Sequence, residues 1–172
     1  GAPEDLVQVL PAPVNKALTQ ELMVQADLVV VTGSQNNVRR AYSSGTPAIG
    51  VGAGNVPVII DSSADLVDAA EKIMLSKCFD NSTSCSSENS VTILDEVYEE
   101  AIEALKTAGG YLVTSEEKQK ILETLWVDGH LNRHVIAKDA AVFAQYCGLS
   151  GEAMTAKFFL VEDENEVGKG YP

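Results

Sequence analysis

Cys85 stands in the run Phe79-Asp80-Asn81-Ser82-Thr83-Ser84-Cys85-Ser86-Ser87-Glu88-Asn89-Ser90, between an apolar helical stretch and a strand-like one. Small polar neighbours leave its thiol uncrowded. The thiolate is the reactive form of cysteine. A loop ending on free backbone N–H groups favours it, whereas a thiol packed among apolar side chains has its pKa raised and stays inert. Two readings of Cys85 are open: a nucleophile able to carry an acyl group, or the small buried hydrophobe that free cysteine usually is. Cys78, on the apolar helix, and Cys147, at a helix end, read as packing residues. His130 could act as the base partner of Cys85 in a cysteine hydrolase. With His134 it shows no accompanying carboxylate of a zinc motif, and both fit surface or structural histidines.

The second candidate chemistry is phosphate binding. Leu28-Val29-Val30-Val31 is a short apolar run that suits a strand buried on both faces, and it breaks at Thr32-Gly33-Ser34 before a helix expected over 36–44. Gly33 would let backbone approach a ligand, and Ser34 sits where the following helix presents free N–H groups. A plain glycine-serine turn explains the same residues. Gly50-Val51-Gly52-Ala53-Gly54 looks like a dinucleotide fingerprint but lacks its spacing, and a strand containing Pro57 follows where a helix would be needed.

The chain has 172 residues, 45% hydrophobic and 22% charged, which is ordinary globular material. Lys+Arg 12 against Asp+Glu 25 gives a formal net charge of −13. That balance repels a phosphate backbone and an anionic membrane surface, so neither nucleic acid nor membrane is an expected partner. Any anionic ligand must be held locally, by backbone N–H groups or by placed cations such as Arg39 and Arg40. Three irregularly spaced cysteines make neither a disulfide framework nor a structural zinc site, so a reducing, cytoplasmic setting is expected. No apolar run reaches the ~20 residues of a membrane span. The start at Gly1 and the stop at Gly168-Lys169-Gly170-Tyr171-Pro172 suggest a piece of a longer chain.

The elements that must position these residues alternate between helix and strand. Strands are expected at 6–10, 28–31, 48–51, 56–60, 90–94 and 157–161. Helices are expected over 16–25, 36–44, 64–78, 96–108 with Asp95 as cap, and from a Thr114/Glu117 capping box to about Leu125. A last helix follows Asp139 and runs to Cys147, with Gly148 ending it. The exposed Glu96, Glu99, Glu100 and Glu103 make a solvated face, and Trp126 is a core candidate. The pattern is α/β, with helices layered on sheet, and Gly52-Ala53-Gly54-Asn55 is a joint where domains could meet.

In this order and spacing, the strand-Thr32-Gly33-Ser34-helix unit, Ile49-Gly50-Val51-Gly52-Ala53-Gly54-Asn55-Val56-Pro57 and Phe79-Asp80-Asn81-Ser82-Thr83-Ser84-Cys85 resemble the aldehyde dehydrogenase superfamily. The likeness covers nearly the whole chain and corresponds to about the middle third of a family member. It implies part of a Rossmann-like nucleotide-binding domain over 1–52, then the first part of an α/β catalytic domain over 53–172. Hydrolytic members carry a general-base Glu in a Glu-Leu-Gly-Gly motif, and here that position falls on Gly50 or Val51, neither of which accepts a proton. Losing such a base is worth roughly 10²–10⁴-fold in rate, so a thioacyl enzyme would wait for another nucleophile.

The glycine-rich run and the Phe79-Asp80-Asn81 lead-in look like the CoA-acylating branch, whose aldehydes include acetaldehyde, sulfoacetaldehyde and succinate semialdehyde. The resemblance therefore implies a reversible ping-pong oxidation. Cys85 would form a thioester from a small aldehyde, hydride would pass to NAD or NADP, and coenzyme A would take the acyl group. Thr32, Gly33 and Ser34 would line the cofactor pyrophosphate, and Gly50, Val51 and Gly52 would pass near the nicotinamide. No metal is implied, and a homo-oligomer is expected of the full-length protein. The second oxyanion donor and the ribose-binding Glu of the family fall outside this chain, so the isolated chain could be a catalytically inactive fragment.

Overall fold

The computed structural model describes residues 1–52 and 54–163. Two compact units, Gly1–Gly54 and Asn55–Pro172, make up the chain. Ala53 in the glycine joint and the terminal run around Gly168 lie outside the described residues.

The first unit contains α1 (Lys16–Gln25), β1 (Val29–Thr32), α2 (Gln35–Tyr42) and β2 (Ala48–Val51). Asn15 starts α1 by accepting a bond from the Leu18 amide at 2.9 Å, which satisfies a donor that the first helical turn leaves free. β1 and β2 are parallel, with Val29 opposite Ala48 and Thr32 opposite Val51. Met23, Val29 and Ala41 form the buried core, with Ala26, Val31 and Ala48 packed against it. Arg40 ties α2 to α1 by donating to the Lys16 carbonyl at 2.6 Å.

Two expectations fail in this unit. Residues 6–10 form no strand, and Val7 and Val9 are 83% and 88% exposed. Their backbone groups pair with no strand among the described residues, and Pro11 and Pro13, which cannot donate to a ladder, follow at once. β1 is not buried on both faces either: Val30 is 69% exposed, because the helices of this unit cover only one side.

The second unit contains β3 (Pro57–Ile60), α3 (Leu66–Cys78), β4 (Ser90–Ile93), α4 (Tyr98–Thr107), β5 (Gly110–Leu112), α5 (Ser115–Leu125), β6 (Trp126–Val127), β7 (His130–Leu131), α6 (Ala140–Tyr146) and β8 (Phe158–Leu160). β3 pairs in parallel with β4, and β5 with β8, whereas β6 and β7 form a hairpin. One core gathers Ala70, Leu105 and Phe158, with Ile73, Met74, Cys78 and Ile93 around it. A second holds Val113, Ile121, Ala144, Cys147, Leu149 and Ala153.

The Thr114/Glu117 capping box is present and opens α5. Asp95 does not cap α4, because the chain first makes a tight turn over Asp95–Val97 and α4 begins only at Tyr98. Asp139 precedes α6 without a side-chain capping bond, and Gly148, at φ +66, follows the end of that helix. β5 and the β6–β7 hairpin appear where no strand was expected. Gly110 explains the first: a Cβ there would lie 2.8 Å from the Phe158 ring, so β5 can approach β8 only with glycine at this position.

Candidate functional site

The crossover from β3 to β4 carries the loop of interest. Asp65 caps α3 by accepting from the Asp68 amide at 3.1 Å, and Ala70, Ile73, Met74 and Cys78 anchor one face of the helix in the core. Past Cys78 the chain leaves the helix through three residues in left-handed conformation: Asp80 at φ 48, Asn81 at φ 52 and Ser82 at φ 60. Each is unfavourable for an L-residue by about 1–2 kcal/mol. Side-chain bonds hold the turn. Thr83 donates its amide to the Asp80 carbonyl at 3.0 Å and its hydroxyl to the same oxygen at 2.8 Å, and the Ser82 hydroxyl donates to the Lys77 carbonyl. The loop is closed where the Asn89 amide donates to the Val56 carbonyl at 3.0 Å.

Cys85 lies beyond this turn with its side chain exposed, so the reading of it as a buried hydrophobe is not met. Its amide donates to no protein acceptor among the described residues. The hydroxyls of Ser84 and Ser86 meet at 2.8 Å across it. Lys72, Leu75, Ser76, Phe79, Ser84, Ser86 and Ser87 line an open groove of about 400 Å³ beside the loop. The Ser87 hydroxyl and one Glu88 carboxylate oxygen are buried without a hydrogen-bond partner among the described residues. Burial lowers the pKa of Lys77, against the opposing pull of the Glu88 carboxylate.

The other two thiols are of a different kind. Cys78 is half-buried and donates to the Lys157 carbonyl at 3.5 Å, and Cys147 is buried in the second core. Burial raises the pKa of both. His130 and His134 are exposed, and no hydrogen bond joins His130 to Cys85 among the described residues. Nor does any cluster of three metal-ligating side chains occur among them.

In the first unit the two other predicted groups come together. Because Thr32 is opposite Val51, Thr32-Gly33-Ser34 and Gly50-Val51-Gly52 share the carboxyl edge of one parallel pair, the edge at which α/β sheets bind ligands. Gly33 adopts φ +115 with open space on its Cβ side, and the Ser34 hydroxyl caps α2 by accepting from the Asn37 amide at 3.4 Å. The first amides of α2 therefore face an exposed turn. Gly50 has a packing role as well: a Cβ there would meet Val38 at 2.7 Å and Tyr42 at 2.9 Å, and its amide donates to the Tyr42 hydroxyl at 3.0 Å. Gly52 would likewise meet Gln35 at 2.5 Å. Val51 is 57% exposed.

Sequence reasoning missed the Ser84–Ser86 hydroxyl pair, the groove and the left-handed turn. The alternation Ser-Cys-Ser was a visible signal for the first. The turn had only a weak one, Asp80-Asn81, the non-glycine types that enter the left-handed region most readily.

Comparison with known proteins gives this geometry its family. The profile described as "Aldehyde dehydrogenase family" matches residues 1–120. The chain is 52% identical over its whole length to the sulfoacetaldehyde dehydrogenase (acylating) of Cupriavidus necator, of which it covers 35%. Among solved structures, an acetylating aldehyde dehydrogenase from Geobacillus thermoglucosidasius superposes with a TM-score of 0.80 at 37% identity, over 88% of this chain and 34% of that one. A propionaldehyde dehydrogenase of Rhodopseudomonas palustris, solved with bound CoA and an acylated cysteine, superposes with a TM-score of 0.75 at 27% identity, over 87% of this chain and 35% of that one. The chain thus spans about a third of the length of these relatives. It belongs to the aldehyde dehydrogenase family.

Proposed function

We propose that this member of the aldehyde dehydrogenase family serves the CoA-acylating reaction, converting a small aldehyde to an acyl-CoA through a thioester on Cys85. The sulfonated aldehyde named for the Cupriavidus necator relative is the foremost substrate. The observation that carries the reading is an exposed, free thiol at Cys85 in a chain that offers no proton acceptor at Gly50 or Val51. With that base missing, water is a poor acceptor of the acyl group and a thiol is a better one.

In the reaction, Cys85 Sγ adds to the carbonyl carbon, and the carbonyl electron pair moves onto oxygen. The free Cys85 amide stabilises that oxyanion. NAD or NADP, when bound, would supply the hydride acceptor by which the former carbonyl carbon on Cys85 becomes a thioester. The CoA sulfur, giving up its proton, then adds to the thioester, and Cys85 leaves as thiolate. Thr32, Gly33 and Ser34, with the first amides of α2, would hold the cofactor pyrophosphate, and Gly50, Val51 and Gly52 would lie on the nicotinamide side. The open Cβ side of Gly33 and the exposed helix start suit that task.

Residues 1–52 then belong to the nucleotide-binding domain and 53–172 to the catalytic domain. No helix among the described residues is long and apolar enough to cross a membrane. The protein works in the cytoplasm as a homo-oligomer, without nucleic acid or membrane. The test is NADH or NADPH formation from a short aldehyde by the full-length protein. It must require CoA and vanish in Cys85→Ala; CoA-independent release of free acid would overturn the reading.

A further inference from the structure

The groove beside the loop that carries Cys85, lined by its neighbours Ser84 and Ser86, has two unlike walls. Leu75 and Phe79 of the α3 side are apolar and exposed, whereas Ser76, Ser84, Ser86 and Ser87 present hydroxyls. The Ser84 and Ser86 hydroxyls bond to one another at 2.8 Å, which uses one of their two protons and leaves the other to donate outward. Ser87 is 8% exposed, and its hydroxyl has no partner among the described residues, an arrangement that is unfavourable until an acceptor arrives. Lys72 stands at the rim, but its ammonium is bonded to Asp68 at 2.6 Å, so much of its charge is already offset. A groove whose hydroxyls have donors to spare, beside a partly neutralised cation, suits an acceptor-rich oxyanion.

We propose that this hydroxyl wall receives the sulfonate head of a short aldehyde, with Ser84 and Ser86 as its specificity-determining residues and Ser87 as a further donor. The inference rests on the reading of Cys85 as the acyl carrier. Chain length selects the head group. In a sulfonated two-carbon aldehyde a single methylene separates sulfur from the carbonyl carbon, so when that carbon bonds Cys85 the sulfonate lies against the residues on either side of it. A carboxylate on a longer chain would fall beyond them. The methylene packs on Phe79 and Leu75, and three sulfonate oxygens meet the serine donors. The chain's overall charge of −13 opposes an anionic substrate, which is why directed donors are required at this point.

The test compares kcat/KM for sulfoacetaldehyde with kcat/KM for propionaldehyde in the full-length protein and in Ser84→Ala, Ser86→Ala and the double variant. A hydrogen bond to a charged group is worth about tenfold or more in binding, so the ratio of the two constants falls by about that factor in each single variant. A purely structural role for the serines would lower both constants together, and an unchanged ratio overturns the proposal. A second measurement does not depend on turnover. Ethanesulfonate slows alkylation of Cys85 by iodoacetamide in the unmodified protein, uncharged dimethyl sulfone does not, and protection is lost in the double variant. If no aldehyde is turned over with CoA, the reaction assigned above fails while protection still decides the groove; equal protection by both compounds, or none by either, overturns the sulfonate site.

Discussion

The Cys78 thiol donates to the Lys157 carbonyl at 3.5 Å, fastening the end of α3 to the residue before β8, whereas Cys85, seven positions on, is exposed. Burial holds the Cys78 and Cys147 thiols above the ordinary cysteine pKa, so at neutral pH they are protonated and unreactive. Iodoacetamide at neutral pH therefore labels Cys85 first, with Cys78 and Cys147 slower by about tenfold or more. Their labelling rises as pH climbs into the alkaline range or when the chain is unfolded. Peptide mass spectrometry over a time course reads the order, and prior labelling of Cys147 would contradict it.

Two positions compete for the missing general base, and the fold distinguishes them. A side chain at Gly50 would run into Val38 and Tyr42, whereas Val51 is open to solvent. Gly50→Glu consequently costs about 1–3 kcal/mol of stability through overpacking, and Val51→Glu is tolerated. Val51 is one of the two positions on which the family's base falls and the one that accepts a side chain, so Val51→Glu is expected to raise CoA-independent release of free acid, up to the 10²–10⁴-fold range of general-base catalysis. Urea unfolding checks the first statement, and product analysis with and without CoA checks the second.

Local signals were enough where a single turn of chain decides the outcome. The Thr114/Glu117 pair marked the start of α5, because a capping side chain bonds an amide three residues away and needs nothing more distant. Leu28–Val31 followed by Thr32-Gly33-Ser34 likewise announced a strand, a turn and the candidate phosphate site, with β1 lying one residue later at Val29–Thr32. What stayed hidden depends on partners far along the chain. Residues 6–10 carry a strand-like pattern and form no strand, since no strand among the described residues pairs with them. β5 exists because Phe158 fills the space beside Gly110, a fact absent from the local pattern. The Cys85 loop was legible as polar and uncrowded, but its left-handed entry was only weakly marked, since glycine is the usual sign of such a turn.

That entry makes its own prediction. Asn81 sits at φ 52 between two other left-handed residues, and the backbone there is tolerable for asparagine, free for glycine and worst for a β-branched side chain. Asn81→Gly should raise the thermal midpoint slightly, by the equivalent of about 0.4–1 kcal/mol, and Asn81→Val should lower stability by about 1–3 kcal/mol. If the turn also aims Cys85, Asn81→Val changes the alkylation rate of Cys85 under conditions where the chain remains folded by circular dichroism. Equal stability for the two variants would show that the turn is not left-handed in solution.

The capping box of α5 gives a pH dependence whose sign is fixed. Glu117 has its pKa lowered chiefly by the Thr114 amide, which donates to its carboxylate at 2.9 Å, and the Tyr111 hydroxyl adds a donor at 3.1 Å. Since the folded-state value lies below the unfolded one, the ionised group stabilises the fold above the ordinary glutamate range. That contribution is lost as pH falls through the lowered value. Gln keeps the reciprocal cap but not the charge near the helix start, so Glu117→Gln costs about 0.3–1 kcal/mol at neutral pH. The difference between the two proteins, followed by urea unfolding from neutral to acid pH, shrinks toward zero below the glutamate range. A gap that persists or widens in acid would mean that Glu117 acts through packing rather than through its charge.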